Sequence, residues 1–352
     1  MTTVYIIRHA EAEGNLYRRI HGHYDSYLTK LGERQLDALE KRFEGVHIDR
    51  VYSSDMRRTI HTSTAVTRSR GLKTELVPAL REIGMGIWED REWGFAEKYY
   101  RDELIKFSTD PATWRLEGGE DFYGVQERML GAVKKLAAEN DGGTIALFSH
   151  GAAIRALTAA IMGLESKNIT RIDYCDNTAV MRLSVNGDDI RIEEDADSSH
   201  LGEGYTRFKR QKWHRSKDGL DISNLCFEPV EPATLSWLRE KCGGELPDLS
   251  GRDGKNTAIA FHGQEPVGAV SFDTEVFGAE GAALIDVYWL CEEWRGNNFS
   301  PQLLGRAVSV CRGIGFKELR AGFDGVAADV VSHFGFEKYG EKGGKLLLKM
   351  GI

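Results

Sequence analysis

Val4-Tyr5-Ile6-Ile7-Arg8-His9-Ala10-Glu11 runs a short apolar segment directly into an arginine and a histidine. Thr144-Ile145-Ala146-Leu147-Phe148-Ser149-His150-Gly151 repeats the arrangement far along the chain. Short runs rich in β-branched and apolar residues predict buried strands. Both histidines therefore fall at strand exits, and in an open α/β sheet that edge is where ligands bind. Two histidines and an arginine suit phosphoryl transfer. A neutral imidazole can attack phosphorus while guanidinium groups hold the phosphoryl oxygens in bidentate fashion.

Residues between and beyond the two strands add to this. Asn15 follows His9 closely, and Leu28-Thr29-Lys30-Leu31-Gly32-Glu33-Arg34-Gln35 opens a helix on which Leu36, Leu39 and Phe43 keep helical spacing. Val51-Tyr52-Ser53-Ser54-Asp55-Met56-Arg57-Arg58 reads as a strand, a polar turn and a helix with arginines in its first turn. Leu80-Arg81-Glu82, Gly86-Ile87-Trp88-Glu89, Gly118-Gly119-Glu120, Asn177-Thr178 and Ser199-His200-Leu201 follow in order.

That series resembles the histidine phosphatase, or phosphoglycerate mutase-like, superfamily over roughly residues 1 to 201. The resemblance implies that His9 is the nucleophile and becomes a phosphohistidine, with water accepting the group in a second step. It places Arg8, Arg58 and His150 in the phosphate pocket and Asn15 as a further donor. Arg58 fits better than Arg57, because the family's arginine lies four residues after the serine that here is Ser54. Glu82 matches the acid that protonates the leaving oxygen; a salt bridge to the arginines is its plainer alternative. Ser149, Gly151, His21 and Gly22 are substrate-side positions by the same likeness. His21-Gly22-His23 with Asp25 also offers metal-ligand chemistry, but the arginine beside His9 repels a cation, so no metal is expected. Solvated loop histidines remain the other reading of His21 and His23.

At 352 residues the chain is long enough for two cores. It has no apolar run of transmembrane length and no basic-apolar leader at its start, so a cytoplasmic protein without membrane partners is expected. Five widely separated cysteines suit reduced thiols. The net charge of -8 gives no general case for nucleic acid. Against that trend, Arg207-Phe208-Lys209-Arg210-Gln211-Lys212-Trp213-His214-Arg215-Ser216-Lys217 holds six basic residues and no acid. It reads as a basic connector at residues 206–223, between domains at 1–205 and 224–352.

Beyond it, Asn256 to Phe261 and Val267 to Phe272 predict a hairpin, and Leu284 to Leu290 a strand. A loop, Glu292-Glu293-Trp294-Arg295-Gly296-Asn297-Asn298-Phe299, then precedes a helix with Ser300 at its N-cap, Pro301 at N1 and Leu303, Leu304, Ala307, Val308 and Cys311 on one face. A helix start beside a strand exit favours anions. Lys317 to Ala321 is a further strand, and a helix is expected around Ala327 to Ser332. With Gly335-Phe336-Glu337-Lys338 after it, the order is similar to the GNAT acyltransferase superfamily over roughly residues 224 to 352. That likeness implies acetyl-CoA binding at Leu290, Arg295, Gly296, Asn298 and Ser300. The chain departs from the family by having only Gly296 in the loop and by placing Val331 where an acid tyrosine is usual, which leaves His333 or Tyr339 as substitutes, although core packing or a sheet edge is the plainer reading of both.

The expected class is α/β, a phosphoglycerate mutase-like three-layer α/β/α domain followed by a GNAT-like mixed α/β domain. The expected activity is metal-independent hydrolysis of a small phosphorylated metabolite, with no cofactor for that reaction. A mutase that returns the phosphoryl group to the substrate is one alternative. A phosphatase with a non-catalytic acyl-CoA sensor is another.

Overall fold

The structure is a computed structural model that describes residues 1–202, 204–205, 224–242, 249, 254, 256–296, 299–323 and 331–352. The basic segment 206–223 lies outside the described residues, as do Asn298 and most of the helix expected around Ala327. In chain order the early elements are β1 (Thr2–Arg8), α1 (Glu13–Tyr17), α2 (Lys30–Arg42), β2 (Arg50–Ser53), α3 (Arg57–Thr67), β3 (Thr74–Leu76), α4 (Trp93–Tyr99) and α5 (Arg101–Thr109). After them come α6 (Phe122–Glu139), β4 (Thr144–Ser149), α7 (Gly151–Ile161), β5 (Val180–Asn186) and β6 (Asp189–Asp197). The later elements are β7 (Leu225–Pro229), α8 (Pro232–Cys242), β8 (Thr257–His262), β9 (Glu265–Asp273), β10 (Ala282–Leu290), α9 (Ser300–Gly313), β11 (Glu318–Phe323), β12 (Glu337–Lys342) and β13 (Lys345–Gly351).

Two compact units divide these elements. One comprises Met1–Asn15, Ile20–Glu89 and Tyr100–Asp221; the other takes Leu16–Arg19, Asp90–Tyr99 and Ile222–Ile352.

The first unit is built on a six-stranded sheet ordered β3-β2-β4-β1-β5-β6. β1 runs parallel to β4 with Arg8 opposite Ser149, so His9 and His150 are the next residues past two neighbouring strand ends. β2 is parallel to β4 on the other side and ends with Ser53 opposite Phe148, which brings Ser54 to the same edge. Alternation along the strands explains the layering. Ile7, Ala146, Phe148 and Val51 pack with Leu36, Leu39 and Phe43 of the α2 region and with Ala65 and Val66 of α3. Val4, Ile6, Ile145 and Leu147 have the opposite phase and are also fully buried, and α6 and α7 pack against β1. Thr29 starts α2, its hydroxyl accepting from the Gly32 amide at 3.1 Å.

The second unit carries a seven-stranded sheet ordered β12-β13-β11-β10-β9-β8-β7. Only β10 and β11 are parallel, the pair joined through α9; the other neighbours are antiparallel. α9 buries Leu303, Leu304, Ala307, Val308 and Cys311 into the core of this sheet, as their spacing predicts. Its start differs by one residue. Phe299 is the cap and already helical in backbone, so Ser300 is the first helical residue and makes no side-chain cap.

Short pieces from early in the chain complete this unit. Leu16 and Tyr17 join its core, and a Cβ on Gly305 would lie 2.4 Å from the Cβ of Tyr17. α4 lies against β7, where Gly94 allows close approach: a Cβ there would sit 2.3 Å from the Leu225 carbonyl oxygen. Among the described residues the side of β7 away from β8 has no strand partner, and an uncovered edge is an association hazard that a helix relieves. The boundary expected in the basic connector therefore does not by itself divide the contacts. Cys175, Cys226 and Cys311 are free, but Cys291 is disulfide-bonded, which corrects the expectation of reduced thiols throughout. Wide spacing in sequence hid a pairing that folding creates. No helix among the described residues is long and apolar enough to cross a membrane.

Candidate active site

The exits of β1, β2 and β4 assemble a polar pocket whose members are nearly all buried. His9 Nδ1 lies 2.7 Å from the carbonyl oxygen of Ala10. A carbonyl only accepts, so Nδ1 carries the hydrogen and Nε2 keeps its lone pair. Burial, followed by the positive fields of Arg58 and Arg8, holds the His9 pKa well below the usual histidine value. The ring is thus a neutral base with a fixed tautomer.

His150 is fixed just as firmly. Arg58 Nε donates to its Nδ1 at 3.2 Å, and Nε2 meets the hydroxyl of Ser54 at 2.7 Å. The two histidine rings are 5.2 Å apart between centroids. Burial and then Arg58 hold the His150 pKa well below its usual value as well. Arg58 is itself buried. Its Nη1 donates to the Tyr24 carbonyl at 2.9 Å, and its Nη2 to the carbonyls of Gly22 at 2.7 Å and His21 at 3.3 Å. Burial brings its pKa down to about 10, with Glu82, Asp25 and Glu89 opposing the fall, so it remains a cation at neutral pH.

Arg8 ends β1 and donates from Nη1 to the Cys175 carbonyl. Gly151 faces this guanidinium: a Cβ on it would sit 3.3 Å from Arg8 Nε. Asn15 Oδ1 accepts from the Ala12 amide at 3.0 Å and from Asn177 Nδ2 at 3.2 Å, which leaves the Asn15 amino group as its remaining donor. Asn177 Nδ2 also donates to the His9 carbonyl at 3.0 Å.

Glu82 makes no arginine ion pair within the described bridges. Its carboxylate accepts from the amides of Ala153 at 2.8 Å, Ile83 at 3.0 Å and Ala152 at 3.1 Å, so it caps the N-terminus of α7 beside His150. Ser149 is at the edge of the pocket, but its hydroxyl is buried and donates to the Leu80 carbonyl at 2.8 Å. Both polar groups of the Gly22 backbone are occupied, the carbonyl by Arg58 and the amide by Glu89. His21 is half-buried and packs on Tyr24, with ring centroids 4.7 Å apart. His23 meets the Glu82 carbonyl at 2.9 Å through Nε2. Arg57 is exposed and pairs with Asp25 at 3.1 Å. Arg19, from the same stretch as His21, belongs to the second unit and pairs with Asp90 at 2.7 Å. Among the described residues no group of three or more histidine, cysteine or acidic side chains could hold a metal.

Two contributors gave little sequence signal. Glu89 appears only as the end of a motif, yet its carboxylate gathers the amides of the 22–24 loop. Glu120 accepts from Arg128 and from the Gly84 amide, and its own amide donates to the Gly84 carbonyl at 2.9 Å, which ties the segment after Glu82 to the 114–121 loop. That loop lines an open cleft of about 270 Å³.

In the second unit, Leu290 is buried at the end of β10, and its carbonyl accepts from Arg295 Nε at 2.9 Å. Gly296 is exposed with φ +79°, a left-handed turn that suits glycine. Tyr288 donates to the Ser300 carbonyl at 2.5 Å and ties the strand to the first residue of α9. Val331 is a core residue, His333 is exposed, and Tyr339 is exposed on the edge strand β12.

Known proteins resemble the first unit. Probable phosphoglycerate mutase GpmB of Cronobacter sakazakii is 34% identical over 187 residues, 49% of this chain and 86% of its own length. The solved structure of Bacillus stearothermophilus YhfR aligns with a TM-score of 0.56 at 29% identity, covering 57% of this chain and 100% of that one. A mycobacterial glucosyl-3-phosphoglycerate phosphatase solved with VO3 aligns at 0.51 and 25% identity over 56% of this chain and 99% of its own. The family model for the histidine phosphatase superfamily (branch 1) matches residues 4–198, from the strand that delivers His9 to past the Asn177 turn, and stops before the first strand of the seven-stranded sheet. Covering more than half of the chain, that match establishes that the chain belongs to the histidine phosphatase superfamily, branch 1.

Proposed function

We propose that the first unit hydrolyses a phosphate monoester through a phosphohistidine at His9. The observation that carries this reading is the fixed tautomer: Nδ1–H is held by the Ala10 carbonyl, so a neutral Nε2 is available in the positive field of Arg58 and Arg8. Nε2 attacks phosphorus and the bond to the leaving oxygen breaks. Glu82 supplies the proton to that oxygen, then takes one from water as the water displaces Nε2 and inorganic phosphate leaves. Arg8, Arg58 and Asn15 meet the charge on the transferring oxygens, and His150 joins them by turning its Nε2–H from Ser54 to a phosphoryl oxygen. The 114–121 loop, tied to the segment after Glu82 by the Glu120–Gly84 hydrogen bonds, is the candidate for contacts to the remainder of the substrate, a small phosphorylated metabolite. Ser149 and Gly22, whose polar groups are already bonded, serve as scaffold.

A mutase reading is favoured by the curated relative's name and differs only in where the phosphoryl group goes. The test is phosphate release from a metabolite panel in EDTA, monophosphoglycerates included, by wild type and His9→Ala. Release by wild type alone supports the phosphatase; interconversion of phosphoglycerates without release replaces it with the mutase.

For the second unit we propose a GNAT-like domain that binds acetyl-CoA. Support comes from the mixed sheet with one parallel pair, β10 and β11, and from the Arg295–Gly296 turn between the end of β10 and α9. Ser300 would lie at the pyrophosphate; Asn298 lies outside the described residues. Val331, a core residue, stands where the family's acid tyrosine would be, so acyl transfer would depend on His333 or Tyr339, and a binding-only domain is the alternative. A shift in melting temperature with acetyl-CoA reads binding, and acetylation of an amine panel reads transfer.

A further inference from the structure

We infer that Glu89 is a positioning residue for Arg58, acting through the peptide groups of the 21–24 loop. The carbonyl of His21 and the amide of Gly22 belong to one peptide unit. The carbonyl accepts from Arg58 Nη2 at 3.3 Å, and the amide donates to Glu89 Oε2 at 3.1 Å. The next peptide repeats the pattern: the Gly22 carbonyl accepts from Nη2 at 2.7 Å and the His23 amide donates to Oε1 at 2.7 Å. Two peptide planes are thus held between a guanidinium and a carboxylate. Each peptide dipole has its negative end toward the cation and its positive end toward the anion.

Tyr24 adds a third link, its carbonyl accepting from Arg58 Nη1 at 2.9 Å and its amide donating to Glu89 Oε2 at 2.8 Å. The carboxylate is anchored from the other side by the Met85 amide at 2.9 Å. Successive amides that converge on one anion form a nest, and here the protein fills it with its own carboxylate. Glycine at 22 is part of the device, since a Cβ there would fall 2.4 Å from Glu89 Oε1 and 2.4 Å from the Ile83 carbonyl oxygen. Glu89 also opposes the fall in Arg58 pKa that burial causes. Because Arg58 Nε holds His150 Nδ1, an error in the guanidinium plane reaches the second histidine as well.

Removing the carboxylate leaves three loop amides facing one another with no acceptor, and the loop carbonyls then turn away from Arg58. The damage falls on the transition state, where charge on the transferring oxygens is greatest, and so appears in kcat more than in KM. This inference rests on the reading of Arg58 as a ligand of those oxygens.

The test is a double-mutant cycle of Glu89→Gln and Arg58→Ala on the full chain. It is read as the rate of phosphohistidine formation from p-nitrophenyl phosphate in single turnovers, with kcat and KM measured alongside. Glu89→Gln is expected to slow the wild-type rate about 30-fold with KM changed less than about 3-fold, and to slow the Arg58→Ala background less than about 3-fold. Glu89→Asp, which keeps the charge but is one methylene shorter, is expected between wild type and Gln. It is read in place of Gln if the Gln variant does not fold. The same fold-loss in both backgrounds, or a loss confined to KM, overturns the role of Glu89 while leaving the site reading intact. An Arg58→Ala variant as fast as wild type overturns the site reading and this inference with it.

Discussion

The exit of β1 and β4 and the exit of β10 are both strand ends followed by a turn and a helix, yet they are built from different material. At the first, Arg8, His9, Arg58 and His150 are 5%, 6%, 1% and 0% exposed, and in the proposed reaction their side chains do the chemistry. At the second, Arg295 and Gly296 are exposed, and what is offered is main chain and a helix start. Buried polar side chains are costly unless each is bonded, so their assembly at one edge marks a site specialised for one reaction. An exposed turn marks at most a place where an extended ligand can lie. The sharpest way to break this contrast is His9→Ala. It should lower phosphate release at least ~10⁴-fold, because no other group forms the covalent intermediate. An acetyl-CoA-dependent melting shift should survive it unchanged. Assay of both on one preparation checks the pair, and residual release near wild type would sink the phosphohistidine mechanism.

The neighbouring arginines sharpen the contrast between buried and exposed side chains within the first unit. Arg58 is enclosed by His150 and three loop carbonyls, whereas Arg57 faces solvent beside Asp25 and Tyr27. Arg58→Ala should cost about 10²- to 10³-fold in kcat/KM, and Arg57→Ala less than about 3-fold. Equal losses would mean that the phosphate lies elsewhere.

Burial of the histidines carries a stability signature that the exposed turn lacks. His9 and His150 have folded pKa values well below 6.5, and that of His200 falls to about 4 through burial. Each binds a proton more readily in the unfolded chain, so their stabilisation is present above pH 6.5 and is lost as pH falls through the folded pKa. Urea midpoints measured from pH 7 to 4 should therefore decline below about 6.5. The decline is at most about 1.4 kcal/mol per pH unit for each of the two pocket histidines. His200→Asn should make the profile shallower, and a wild-type profile flat over this window would contradict the burial argument.

Much of the first site could be read from residue types. A His or Arg at the end of an apolar run is conspicuous, and the family resemblance, through the distance from Ser54, favours Arg58 over Arg57. The role of Glu82 as the cap of α7 depends on Ala152 and Ala153, seventy positions away, and no local pattern reveals it. Glu89 is legible only as the end of Gly86-Ile87-Trp88-Glu89, and its link to residues 22–24 is not, because the crowding that demands glycine at 22 arises only on folding. Leu16–Arg19 and Asp90–Tyr99 were assigned by sequence to the first domain because local periodicity says nothing about which sheet a short helix covers. The second unit's strands were legible from alternation and turns. The binding proposed for it is less legible, because backbone amides carry no residue code.

That last gap sets the smallest effect and the most discriminating test of the second unit. If the turn after β10 binds the pyrophosphate of acetyl-CoA, saturating ligand at about 100 times Kd should stabilise the folded chain by about 2.7 kcal/mol, a shift of a few degrees. Arg295→Ala should reduce that shift only in part, because Arg295 Nε is engaged with the Leu290 carbonyl and the main chain supplies other donors. Gly296→Val should reduce it further, since a β-branched residue cannot hold φ +79° without strain and the turn must move. The order of the two losses is the informative quantity. A larger effect from Arg295 than from Gly296 would mean that this site, like the first, works through a side chain, and the contrast between the two strand exits would disappear.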